Sequence, residues 1–382
     1  MLPVVRIVIA PDSFKGSLAA ADAAEAVARG LLRERPDAEV LLRPMADGGE
    51  GTVAAALRAG YSARTVTVTG PDGRPVEAEF AVDGTTAVVE MAAAAGLGLL
   101  DELAPTTATT RGVGELLLAA LDEGATRVVV GLGGSATTDG GAGLLQALGV
   151  RLLDADGADV PPGGAGLARL DRVDAGSADP RLRDVEVQVA TDVDNPLTGP
   201  AGAAAVYGPQ KGATPEQVAE LDAALARFAA VVRRDLGVEL EGIAAMGAAG
   251  GTTAGIAAVL TSSVSSGAEL VADLVGLDAA LAGADLVVTG EGSLDAQTLR
   301  GKAPAVVLAR ARAAGVPCVG LAGRVQLTDA ELRAAGFAGA GALVDVEPDV
   351  ARCLAEPAPV LTELAARLLP AHLPQPPSSP RA

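Results

Sequence analysis

Apolar residues in this chain come in short runs that stop abruptly at small, polar or charged residues. VVRIVIA (4–10) halts at Pro-Asp-Ser, AEVLLRPM (38–45) at Ala-Asp-Gly, and TRVVV (126–130) at Gly-Leu-Gly-Gly. DVEVQVA (184–190) halts at Thr-Asp-Val-Asp, DLVVTG (285–290) at Glu-Gly-Ser, and VPCVGLAG (316–323) at Arg324. Such runs predict strands. Helical spacing predicts helices from about Leu18 to Arg35, from Thr52 to Ala59, over GVGELLLAALDEG, from about Pro215 to Asp235 and over APAVVLARARAAG, with another beginning near GAAGGTTAG. From about Arg64 the pattern changes to alternation, with TVTVTG, VEAEFAV and AVVEMA separated by Pro-Asp-Gly and Asp-Gly-Thr turns, which predicts an antiparallel meander.

Strand-helix units at both ends with a meander between them predict an α/β fold: a discontinuous Rossmann-like parallel-sheet domain with an inserted mixed α/β domain. The boundaries expected are 1–64 and 284–370 for the first domain and 65–283 for the second. A Pro/Ser-rich tail over 371–382 is expected to be disordered.

Composition narrows the chemistry. No apolar run approaches 18 residues and the N-terminus lacks a signal-peptide pattern, so a soluble cytoplasmic protein is expected. Cys318 and Cys353 are expected to be reduced structural residues. The single histidine, His372, lies in the tail, which excludes Ser-His-Asp and Cys-His catalysis and histidine-built metal sites. A formal charge of −19 disfavours nucleic-acid and anionic-membrane partners, so an anionic ligand needs a locally positive pocket. All but three of the 29 basic residues are arginine. The exceptions, Lys15, Lys211 and Lys302, each lie in a Gly-containing segment, where a compact ammonium suits a phosphate.

The loops after the strands carry the candidate site. In PDSFKGS, Ser13 and Lys15 precede a helix start suited to anions. In ADGGEGT, Asp47 is a candidate for a magnesium ion or a substrate hydroxyl. Asp192 and Asp194 in TDVDNP suit a metal and a proton acceptor in phosphoryl transfer. Gly133, Gly134 and Ser135 in GLGGSAT are candidate phosphate contacts, with Glu291 and Lys302 as further nucleotide contacts. The spacing from Gly131 to Ala136, with Asp154 about 20 residues on, also fits a dinucleotide fingerprint, which keeps an NAD(P)-dependent oxidoreductase of a small hydroxy acid as the alternative. Glycines 140, 141 and 143 weigh against it, since each costs a helix about 1 kcal/mol relative to alanine. A non-catalytic small-molecule-binding regulator is a third reading, with no positive signal. No segment fits G-x-x-x-x-G-K-[ST].

In order along the chain, IAPDSFKGS, PMADGGEGT, GLGGSATTDGG, ATDVDNPLTGPAGAAAVYGPQKGA, GAAGG and TGEGSLDAQTLRGKAP resemble the glycerate kinase family of bacterial glyoxylate and sugar-acid pathways. The similarity runs to about Pro370. It implies transfer of the ATP γ-phosphate to D-glycerate, at the 2-hydroxyl, within a two-domain α/β fold. Thr138 and Ala303 depart from residues common in that family. With MgATP as phosphoryl donor, the physical assignments are as follows: Lys15 and Lys211 neutralise phosphate, Asp192 acts as base or metal ligand, and Asp47 binds metal or substrate. Asp194 joins them at the metal, and Arg324 or Arg111 clamps the substrate carboxylate. The expected partners are ATP and glycerate, with monomer and dimer both open.

Overall fold

The computed structural model describes residues 5–14 and 16–374. Among them the strands are β1 (Arg6–Ile9), β2 (Glu39–Leu42), β3 (Ser62–Thr69), β4 (Pro75–Asp83), β5 (Thr86–Glu90), β6 (Arg127–Gly131), β7 (Arg151–Leu153), β8 (Arg172–Asp174), β9 (Glu186–Ala190), β10 (Thr261–Ser265), β11 (Leu286–Leu294), β12 (Cys318–Val325) and β13 (Gly339–Ala342). The chain forms two compact units. One takes the chain up to Asp47, Ala54–Ala59 and the chain from Ala268 onward; the other takes Gly48–Val53 and Gly60–Gly267. The fold is the expected α/β class, a discontinuous parallel-sheet unit interrupted by a mixed one.

The discontinuous unit holds a five-stranded sheet in the order β13-β12-β11-β1-β2. All of its pairs are parallel. Period-2 alternation in β1 sends Ile7 and Ile9 to one face, against Val27 and Leu31 of helix Ala20–Glu34 and Leu361 and Leu364 of helix Pro357–Leu368. Val8 faces the other way, into a core with Val307 and Ala311 of helix Ala303–Ala314. Val271, Leu277 and Leu281 belong to that second core, which places the chain's return to this unit at Ala268.

The inserted unit holds a six-stranded sheet in the order β10-β9-β6-β5-β4-β3. The pairs from β10 to β5 are parallel, and β5-β4 and β4-β3 are antiparallel. β7 and β8 form a separate antiparallel pair. Its core joins Val128 and Val130 to Leu116, Leu144 and Phe228. The long helix Pro215–Leu236 begins at a capping box in which Thr214 and Gln217 satisfy each other's backbone amides.

Three local expectations change. β11 continues through Glu291 and Ser293 and β12 through Arg324, so these residues lie in strand, where loops were expected. The helix near GAAGG contains left-handed residues Ala249, Gly250 and Gly251. Of the tail expected to be disordered over 371–382, the described part is ordered, since a 3₁₀ turn spans Leu369–His372 and Leu373 is buried; residues 375–382 lie outside the described residues. No helix is long and apolar enough to cross a membrane among the described residues. Cys318 and Cys353 are free and buried.

Candidate active site

In the discontinuous unit, the connection from β1 runs through helix Ala20–Glu34 to β2, and that from β11 runs through helix Ala303–Ala314 to β12. These helices pack on opposite faces. The connections therefore diverge between the adjacent strands β1 and β11, which creates the topological switch point where open α/β sheets take ligands. Past Ile9 the chain stays tied to β11: Ala10 N donates to Val288 O at 2.7 Å and Asp12 N to Gly290 O at 2.8 Å. Asp12 and Glu291 thus flank the carboxyl end of the switch point.

Asp12 is partly buried, and its Oδ1 accepts from the Ser13 amide at 2.6 Å. Burial pushes its carboxyl up to about 7; the Ser13 amide opposes this, and the nearby charges of Asp47 and Glu291 add to it. Glu291 is 7% exposed. Its Oε2 pairs with Lys302 Nζ at 3.2 Å, while its buried Oε1 meets no partner among the described residues. The buried Ser293 Oγ, two residues on, is likewise without a partner there. Buried polar atoms are nearly always hydrogen-bonded, so two such atoms together at a switch point mark a place for a ligand. Asp295 instead caps the following turn, accepting from Gln297 N at 2.7 Å and Thr298 N at 3.2 Å.

In the inserted unit, the turns after β5, β6, β9 and β10 share one edge of the sheet, with Gly48–Val53 packed among them. Glu90, at the end of β5, is buried and accepts from Val53 N at 2.6 Å. The start of helix Thr52–Arg58 is thus held by the protein's own carboxylate. A Cβ on Gly131 would lie 2.8 Å from Gly48 O and one on Gly133 2.4 Å from Gly49 Cα. Both glycines are required by this loop-on-loop contact. After β6 the chain does not enter a helix until Ala142, and Leu97 N and Ala136 N bond across to Gly134 O and Ala95 O. The dinucleotide turn of the oxidoreductase alternative is therefore absent, since that turn opens directly into a helix.

Asp139 and Lys211 lie inside this unit. Asp139 accepts from Thr110 N and Oγ1, both at 2.9 Å, and from Gly141 N and Gly143 N at 3.1 and 3.2 Å. Lys211 is 1% exposed and donates to Thr137 O at 2.5 Å. Burial pushes its ammonium down to about 8, against the pull of the Asp139 charge. Lys211, expected to neutralise phosphate, bonds the segment that follows the β6 turn.

The other expected residues are distributed as follows. Lys15 lies outside the described residues. Ser13, Asp47, Glu291, Lys302 and Arg324 belong to the discontinuous unit, with Asp47 exposed after β2 and Arg324 exposed opposite Ser293 in the β11–β12 register. Asp192 and Asp194 are exposed after β9 in the inserted unit, with Gly134 exposed and Ser135 partly so after β6. Asp192 Oδ1 accepts from Gly267 N at 3.1 Å. Arg111 bonds Glu115 at 3.0 Å one helical turn on. Among the described residues, no three His, Cys, Asp or Glu side chains gather where they could hold a metal. Asp12, Glu90 and Asp139 were not anticipated. For Asp12 the signal was available, since it is the first charged residue after β1 in PDSFKGS.

A sequence model of the glycerate kinase family matches residues 7–372. Glycerate kinase of Bacillus subtilis (strain 168) is 48% identical over 84% of this chain and 85% of its own. Glycerate 2-kinase of Escherichia coli (strain K12) is 45% identical over 85% and 86%. A crystal structure from Salmonella typhimurium LT2, assigned as glycerate kinase 2, superposes with a TM-score of 0.85 at 42% identity, covering 97% of this chain and 98% of that one. With the family match spanning nearly the whole chain and these relatives covering more than four-fifths of it, the chain belongs to the glycerate kinase family of enzymes.

Proposed function

We propose that the enzyme transfers the γ-phosphoryl group of MgATP to the 2-hydroxyl of D-glycerate, giving 2-phosphoglycerate and ADP. The observation that carries this reading is the partnerless buried oxygen of Glu291 beside Asp12 and Lys302 at the β1/β11 switch point. Carboxylates accept from hydroxyl groups, and a hydroxy acid and a nucleotide both bring them. The name of the Escherichia coli relative supports the 2-position. Lys302 and Lys15 neutralise phosphate charge, and the turn Gly133–Ser135, exposed at Gly134, offers backbone to the phosphates. Arg324 on β12 takes the glycerate carboxylate. Lys211 contributes from the interior by holding Thr137.

Magnesium enters with the nucleotide. The ion is commonly held by one or two carboxylates together with substrate phosphates, a number that the exposed pair Asp192 and Asp194 can supply. Bound there, it would neutralise charge on the β- and γ-phosphates. The need for cellular ATP places the reaction in the cytoplasm.

The test is ADP release with MgATP and D-glycerate, with the product located by phosphorus NMR. ADP should form in proportion to D-glycerate, with phosphate on carbon 2. ADP release that ignores glycerate, or reduction of NAD in its place, would refute the reading.

A further inference from the structure

We infer that the carboxylate of Asp12 accepts the proton of the reacting hydroxyl; the assignment rests on the phosphoryl-transfer reaction proposed above. Three observations converge on it. First, Asp12 stands at the switch point, on the strand end that Gly290 O holds against β11. Second, the Ser13 amide fixes Oδ1 at 2.6 Å and so orients the group. Third, Glu291 across the switch point is already neutralised by Lys302 on one oxygen and has its other oxygen buried without a partner among the described residues. Glu291 is therefore equipped to hold a ligand hydroxyl, and Asp12 to take a proton from one.

The surroundings suit the task. A general base works best when its proton affinity lies near the working pH, and burial beside like charges raises a carboxylate into that range. The groups that act on Asp12 are the Ser13 amide on its own loop, Asp47 after β2 and Glu291 on β11, with Lys302 at the head of helix Ala303–Ala314 bound to Glu291. Burial comes first among the causes, and together they lift Asp12 to about 7. In the step itself, the hydroxyl proton passes to Asp12 and the oxygen's electron pair forms the bond to the γ-phosphorus. The bond from that phosphorus to its bridging oxygen breaks, and its pair leaves with ADP.

The experiment uses the full chain with MgATP and D-glycerate, following ADP release from pH 5.5 to 9, with glycerate affinity measured by calorimetry. For the unsubstituted enzyme, kcat should fall as pH drops through about 7. Asp12→Asn should lower kcat about 10²- to 10⁴-fold, leave KM for glycerate within a few-fold and abolish the acidic limb. Asp12→Glu, which keeps a carboxylate one methylene further out, should retain the limb at reduced kcat and guards against a variant that fails to fold. Near-normal kcat in folded Asp12→Asn would overturn the assignment. So would a raised KM with unchanged kcat, or an acidic limb that persists in that variant. An unsubstituted enzyme that turns over no D-glycerate would sink the substrate reading and this assignment with it, an outcome seen before any variant is made.

Discussion

Single residues show how environment redirects the same side-chain chemistry. The chain keeps only three lysines, and one of them, Lys211, is in the interior beside the Thr137 carbonyl with 1% of its surface exposed. A larger, forked guanidinium in that space must push against the packed segment around Thr137 and Asp139. We expect Lys211→Arg to destabilise the fold by about 1–3 kcal/mol through overpacking, read as a lower urea midpoint. An unchanged midpoint would show that the interior accommodates arginine. Composition marked Lys211 as unusual but could not tell whether it faced a phosphate or a carbonyl, because both are oxygen acceptors for an ammonium. Asp12 escaped notice for the opposite reason: a carboxylate after a strand is common, and only the pairing of β1 with β11 brings Glu291 beside it.

At the scale of elements, strand positions were legible because apolar runs ending in glycine or acid leave little alternative. The ends were not. β11 runs on through Glu-Gly-Ser because β12 stays in register beside it as far as Leu294 and Val325, a long-range pairing that local residue preference does not encode. The turn after β6 carries a constraint that its spacing does not reveal. Its glycines fit a phosphate-binding turn by spacing, yet Gly131 and Gly133 are forced by the closeness of Gly48 and Gly49. We therefore expect Gly133→Ala to displace the Gly48–Val53 segment that Glu90 holds, costing stability by about 1–3 kcal/mol in addition to activity. An alanine variant with an unchanged melting temperature and lowered ATP affinity would instead assign Gly133 to the ligand.

For the whole molecule, the two-unit plan was readable from the change of periodicity near Arg64. The membership of helices Gly267–Leu274 and Leu277–Leu281 was not, since their apolar faces would suit either sheet. The parallel sheet joins chain segments far apart: the Thr289 hydroxyl donates to Ala10 O across 279 residues. During synthesis, at roughly 5–20 residues per second, the edge of β1 that receives β11 must wait about 15–55 s for its partner, while the inserted unit has all its own strands once Ser265 has emerged. Ribosome-stalled chains ending after Gly267 should accordingly resist mild proteolysis across 60–260 and be cut readily within 5–42. Equal resistance in both regions would mean that β1 and β2 are sheltered by other means. A strand left so long with an unpaired edge invites pairing with a neighbouring nascent chain, so the half-made enzyme is the form of this protein most in need of a chaperone.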